Sequence, residues 1–243
     1  MALIYRPKGK ALEYGELACN VYLRCSHACA YCFCPQALHI PRADFFTEPE
    51  PRIDFLRSLE SEAAELARKG VRDAVFLSFI GDVYQAANDE HHMTRQAIDI
   101  LNRHGLPVTI LTKGGSRAIR DFSLLASHPG NSFGATLTHD DYAVSEQWEP
   151  GAARPKDRVD TLKYAHDLGI STWVSFEPVI DPEAVYRLLD ATHPFVDEYK
   201  VGKLNYHPRS KEIDWVAFRT RIVERLEQLG KRYLIKRSLL DLR

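Results

Sequence analysis

The feature that most constrains the fold of this 243-residue chain is the regular alternation of short β-branched or aromatic runs with longer stretches of helical period. Such alternation signals a parallel sheet, because a parallel neighbour can be reached only through a return connection, most often a helix. Strands are predicted at Asn20–Leu23, Ala74–Phe79, Pro107–Thr112, Phe133–Thr138, Thr172–Phe176 and Glu198–Leu204. Between the first two, Ile53, Leu56, Leu59, Ala63 and Leu66 recur at three- and four-residue steps, the spacing of one buried helix face. Further helices are predicted near His92–His104, Arg117–Ala126, Pro155–Leu168, Pro182–Ala191 and Asp214–Leu229, with Gly70, Gly105, Gly169 and Gly230 at the stops. Six such units fall short of a closed eight-stranded barrel. Right-handed crossovers would curl them into an α/β fold of the partial (β/α)6 TIM barrel type, with its working face at the C-terminal ends of the strands. No Pro/Gly/Ser-rich linker divides the chain, so a single domain is expected over 1–243, with a core over about 17–205 and a C-terminal helix and basic tail over 206–243.

All five cysteines lie between Cys19 and Cys34. A hydrophobic content of 45%, 27% charged residues and a net charge of -1 set aside disordered, membrane and strongly basic classes. The opening "MALIYRPKGKALEYGE" has no uninterrupted apolar stretch, and no later segment approaches the length of a membrane span. A cytoplasmic, reducing location is therefore expected, where clustered cysteines bind metal or do redox chemistry more often than they form disulfides. From Lys200 onward, basic residues exceed acidic ones by roughly seven. That reads first as a solvated helix face and second as a surface for a phosphate-bearing substrate or nucleic acid partner.

Cys25, Cys29 and Cys32 are spaced x3 then x2 and directly follow the first predicted strand, which puts them on the working face. Three thiolates on one tight loop suit an iron-sulfur cube in which each holds one iron and the fourth iron stays open to a ligand that is not protein. A structural zinc site would want a closed set of four, for which His27 and Cys34 are available. Cys34 stands two residues from Cys32, however, and side chains at that spacing point apart in a strand or helix, so sharing a metal would need an irregular turn. Cys19 and Cys34 read as packed thiols. A zinc-stapled or cluster-bearing nucleic-acid-binding protein is one reading of these residues.

The C-x3-C-x2-C spacing after the first strand, with Tyr31 before the last cysteine, resembles the radical S-adenosylmethionine (SAM) superfamily. "NVYLRCSHACAYCF", "GDVYQ" at Gly81–Gln85, "LTK" ending at Lys113, "RD" at Arg120 and Asp121 and "EPG" at Glu149–Gly151 recur in the order of the spore photoproduct lyase-like branch. The resemblance implies that Cys25, Cys29 and Cys32 hold a 4Fe-4S cluster that reductively cleaves S-adenosyl-L-methionine to a 5'-deoxyadenosyl radical, which abstracts hydrogen from a substrate. It further implies Tyr31 near the adenine, Gly81 and Asp82 toward the methionine amino group and Lys113 toward the carboxylate. Thr136 and Thr138 would face the ribose or carboxylate, and Glu149 and Arg158 would flank the cofactor. Tyr84, as a phenolic hydrogen relay, and Glu177, at the end of the fifth strand, are the catalytic candidates. Lys203, Asn205, Tyr206 and His207 would line the substrate cavity, and a flavodoxin- or ferredoxin-type protein would supply the electron. Spore photoproduct lyase carries a hydrogen-donating cysteine near the end of the second strand. Here that stretch reads "FLSFIGD", with Ser78 and Phe79 and no thiol, so the resemblance extends to the radical chemistry and not to repair of the spore DNA lesion.

Overall fold

The computed structural model describes residues 2–241. Eight strands form one sheet in chain order: β1 (Ile4–Tyr5), β2 (Leu17–Cys19), β3 (Val75–Leu77), β4 (Val108–Thr112), β5 (Ser132–Thr136), β6 (Ser171–Val179), β7 (Glu198–Lys203) and β8 (Arg232–Ile235). Only β1 runs antiparallel to its neighbour, β2, and every other pairing is parallel. β1 and β8 do not pair, so the sheet is an open partial barrel of the α/β class. The crossover helices are α1 (Phe55–Arg68), α2 (Met93–Arg103), α3 (Phe122–Ala126), then, after the short α4 (Tyr142–Trp148), α5 (Pro155–Asp167), α6 (Pro182–Thr192) and α7 (Trp215–Gln228). Asp181 and Asp214 begin α6 and α7, their carboxylates accepting hydrogen bonds from Glu183 N, and from Val216 N and Ala217 N, respectively. These bonds satisfy amides that have no partner within the helix.

Two expectations need correction. The first strand of the barrel is Leu17–Cys19, not Asn20–Leu23. Asn20 leaves the sheet because its side chain is committed elsewhere: Oδ1 accepts from Phe79 N and Ile80 N, both at 3.0 Å, and Nδ2 donates to Tyr5 Oη at 3.1 Å. The edge strands β1 and β8 carry no clear sequence signal, since one is two residues long and the other four, flanked by lysines and arginines.

Alternate residues divide the sheet. Cys19, Leu77 and Val174 join the large core beneath the helices, whereas Ala18, Phe76 and Trp173 pack inside the barrel with Tyr5, Tyr14, Phe79 and Leu111. Gly134 on β5 pairs with Trp173 on β6, and a Cβ there would meet Trp173 Cε2 at 2.3 Å, so the indole fills the interior because that glycine has no side chain. The open side is closed by the segment Gly9–Tyr14. Lys200 Nζ donates to Glu13 O and Tyr14 O, both at 3.4 Å, Lys236 Nζ to Lys10 O at 3.4 Å, and Arg237 N to Glu13 Oε1 at 2.7 Å. Among the described residues, no helix is long and apolar enough to cross a membrane.

Candidate active site

The residues after β2 form an irregular loop pinned by three distant elements. Ser26 N donates to Gln85 Oε1 at 2.9 Å and Gln85 Nε2 to Arg24 O at 3.1 Å, which ties the loop to the segment after β3. Gly151 N donates to His27 O at 3.0 Å and Ala30 N to Trp148 O at 2.8 Å, which ties it to the stretch after α4. A Cβ on Gly151 would meet Ser26 O at 2.4 Å and His27 Cα at 2.7 Å, so the backbones can approach this closely only at a glycine. Arg42 caps the loop, donating to Cys29 O at 3.0 Å and Cys32 O at 3.4 Å. Gln85, Gly151 and Arg42 thus support the cysteines. Sequence reasoning quoted the first two inside motifs without assigning them a role, and it missed Arg42.

The loop opens on a cavity of about 530 Å³ at the C-terminal ends of the strands. Cys25, Cys29, Cys32, Tyr31, Gly81, Asp82, Lys113, Thr136 and Glu177 all line it, together with Ser78, Phe79, Lys203, Asn205 and Tyr206. His207 is not among the lining residues; its ring lies tilted against Trp148, with centres 4.9 Å apart. Burial pushes the Cys25 and Cys29 thiols up to about 12, and a hydrogen bond from Cys34 lowers Cys32 to about 6. Cys34 begins a short helix, Cys34–Leu38, and its thiol donates to the carbonyl of Phe79 at 3.3 Å.

The Asp82 carboxylate, expected to meet a methionine amino group, is largely occupied by the chain itself. It accepts from Thr112 Oγ1 at 2.5 Å, Lys113 N at 2.6 Å and Tyr84 N at 2.8 Å, and lies 3.5 Å from His27 Nδ1. It clasps the ends of β3 and β4 together. Lys113 Nζ sits 5.6 Å from the centre of the Tyr31 ring. Burial would lower the lysine's proton affinity, but nearby thiol and carboxylate charges at Cys29, Glu149 and Asp82 outweigh it and leave the amine raised and charged.

Besides His207, four expected residues lie away from the cavity wall. Glu149 and Arg158 are a buried ion pair at 2.7 Å behind Tyr31, whose hydroxyl is hydrogen-bonded to Glu149. Arg158 also donates to Thr136 O at 3.0 Å and Ala153 O at 2.8 Å, so the pair fixes the wall from behind and does not present a charge to a ligand. Thr138 is fully buried beyond the end of β5. Tyr84 is 0% exposed; burial and then the Asp121 carboxylate beside it push its phenol well up. It faces the outer core, not the barrel, and is badly placed for the expected relay.

Sequence reasoning named Glu177 but missed its partners: Tyr14 donates to the Glu177 carboxylate and lies 3.3 Å from Ser175 Oγ. Lys236 Nζ stands 3.4 Å from Glu177, 3.2 Å from Glu13 and 3.6 Å from the centre of the Tyr14 ring.

Cys25, Cys29 and Cys32 all open on the cavity, the arrangement an iron-sulfur cube would need. Among the described residues no three or more His, Cys, Asp or Glu side chains gather as ligands of one metal ion, a demand that a cube does not make because each thiolate binds its own iron. His27 Nε2 is a buried nitrogen on the cavity wall without a hydrogen-bond partner among the described residues, a group that a bound ligand would satisfy.

Comparison with known proteins agrees with this geometry. The family model of the radical SAM superfamily matches residues 19–189. Uncharacterized proteins of Mycobacterium tuberculosis and Mycobacterium bovis are 28% identical over 181 residues, covering 72% of this chain and 52% of theirs, so the chain spans about half the length of the curated relatives it matches. Among solved structures, Streptococcus suis SuiB bound to S-adenosylmethionine superposes with a TM-score of 0.69 at 14% identity over 90% of this chain and 49% of SuiB. A variant of spore photoproduct lyase with bound AdoMet and dinucleoside spore photoproduct gives 0.74 at 10% identity, over 96% of this chain and 78% of that one. At such identities the structures are similar in fold alone, and the match of the family model over most of the chain carries the assignment. The chain belongs to the radical SAM superfamily.

Proposed function

We propose that this chain is a radical SAM enzyme, related to the spore photoproduct lyase-like branch, that holds a 4Fe-4S cluster on Cys25, Cys29 and Cys32 and reductively cleaves S-adenosylmethionine. The observation that carries the reading is the opening of all three cysteines onto one strand-end cavity that also presents Lys113, Tyr31 and the Gly81 turn. When bound, such a cluster supplies the electron that breaks the sulfonium bond, giving methionine and a 5'-deoxyadenosyl radical able to take hydrogen from a substrate.

The chain's own residues bind, orient and exclude water. Lys113 stays charged in a buried setting and pairs with the methionine carboxylate, an ion-assisted contact worth about 1.5–3 kcal/mol. Tyr31, its hydroxyl held by Glu149, keeps a fixed ring face for the adenine. Gly81 sits against the Arg24 carbonyl and offers backbone groups to the methionine amino end, the role expected of Asp82 falling to the turn that Asp82 holds in place. Phe76, Phe79 and Trp173 close the interior below and keep bulk water from a reactive radical. Glu177, tied to Tyr14 and Lys236, is the acid-base candidate on the substrate side. The electron donor is of the flavodoxin or ferredoxin type, in the cytoplasm. Ser78 and Phe79 offer no thiol, so repair of the spore lesion is not proposed.

The test is anaerobic reconstitution with iron and sulfide, reduction, and chromatography for 5'-deoxyadenosine, beside a variant with Cys25, Cys29 and Cys32 all replaced by Ala. Product in the parent protein alone is expected. A colourless, zinc-loaded protein that makes none would sink the reading and leave a zinc-stapled binding protein in its place.

A further inference from the structure

The cavity is not uniform in charge. Five lysines line it, Lys8, Lys10, Lys113, Lys203 and Lys236, against two carboxylates, Asp82 and Glu177. Asp82 is consumed by backbone amides and the Thr112 hydroxyl, and Glu177 is committed to Tyr14 and Lys236. Lys113 lies over Tyr31 at the cysteine end, where the proposed function seats S-adenosylmethionine. Lys8, Lys10 and Lys203 are left without a carboxylate at ion-pair distance among the described residues. Lys203, at the end of β7, stands 5.7 Å from the Trp215 ring, and Asn205 donates to its carbonyl at 3.0 Å. Phe33, next to Cys32, and Tyr206, beyond the end of β7, also line the cavity and are 59% and 94% exposed, two aromatic rings largely open to solvent.

At the cysteine end the positive charge of S-adenosylmethionine and of Lys113 would be met by three thiolates, so the unmatched positive charge is that of Lys8, Lys10 and Lys203. Lys8 and Lys10 are exposed and Lys203 is half-buried, so the three present positive charge at the cavity without a carboxylate to neutralise it, a potential that attracts an anion. We infer that the substrate of this enzyme is a small organic anion, carrying a phosphate or carboxylate group that seats on Lys203 with Lys8 and Lys10, and an apolar or planar body that lies against Phe33 and Tyr206. The inference rests on the radical SAM reading for the division of the cavity, and it names the substrate class that reading leaves open. Glu177 then faces the substrate between its anionic end and the cysteine end.

The experiment is calorimetric titration of the reconstituted full chain, with S-adenosylmethionine bound, using inorganic pyrophosphate in one arm and citrate in the other. One anion is expected to bind at a single site, and the tighter arm identifies phosphate or carboxylate as the recognised group. Lys203→Gln should weaken that binding at least tenfold, about 1.4 kcal/mol, and Lys203→Arg should restore most of it. Lys10→Gln, at an exposed position where folding is not at stake, should also weaken it, while Lys163→Gln on the far surface should not. Binding of neither anion, or equal binding by the parent protein and Lys203→Gln, overturns the inference. 5'-Deoxyadenosine is measured in parallel on the parent protein. Product without anion binding removes the anion subsite and leaves the radical chemistry standing. Lysine-dependent anion binding without product supports the subsite and removes the radical chemistry.

Discussion

Glu149 and Arg158 show how far a residue type underdetermines its role. Both were expected beside a cofactor, yet they are 2% and 1% exposed and face each other behind Tyr31. Burial by itself would push the Glu149 carboxyl up, but Arg158 and then Lys113 hold it below its ordinary value. Removing one partner strands the other charge, so Glu149→Gln should cost about 3–5 kcal/mol, read from urea unfolding; a loss below about 1 kcal/mol, the scale of an exposed pair, would show that the pair is not structurally committed. Gly151 makes a sharper test of the cysteine loop. A methyl group there collides with the backbone of Ser26 and His27, and backbone cannot step aside as the end of a flexible side chain can. Gly151→Ala should cost about 1–3 kcal/mol and lower the iron bound per chain on reconstitution, with helical circular dichroism unchanged.

At the scale of elements, the barrel is completed by a segment that is not a strand. Gly9–Tyr14 spans the gap between the two sheet edges and is held by Lys200, Lys236 and Arg237 from the β7–β8 side. Lys236 matters most, being 1% exposed and shared by Glu13, Glu177 and the Lys10 carbonyl. Lys236→Met fills the same space but leaves two half-buried carboxylates together. We expect a loss of about 3 kcal/mol and faster proteolytic cleavage within residues 9–14, with the helices intact by circular dichroism. Unchanged cleavage would mean that the apolar packing of Tyr14 against Phe76, Phe79 and Trp173 closes the gap without it.

For the whole molecule, the buried Glu149 sets an acid limit. Its folded proton affinity is depressed, so between the folded and ordinary values the unfolded chain binds more protons. The stability it contributes is present above its ordinary value of 4.5 and is lost as pH falls through the folded value. Melting temperature should therefore fall on acidification below about pH 4.5, and the fall should be shallower in Glu149→Gln, which starts lower but has no proton to take up there. An equal acid slope in both proteins would assign the acid limit to other carboxylates.

Much of this protein is legible in its sequence because the information is local. Helical period and capping residues place α1, α2, α5, α6 and α7 within about two residues, and the x3-x2 spacing puts three thiols on one loop. Only tertiary structure decided what is brought together across the chain. Tyr14 meets Glu177 over a separation of 163 residues, Gly151 receives the cysteine loop, and Tyr84 turns outward although its motif adjoins the site. Strand edges as short as β1 and β8 have too few residues for a period of two to show, and they exist because paired neighbours hold them. Periodicity says which face of an element is buried; which partner lies across that face depends on how the sheet curls.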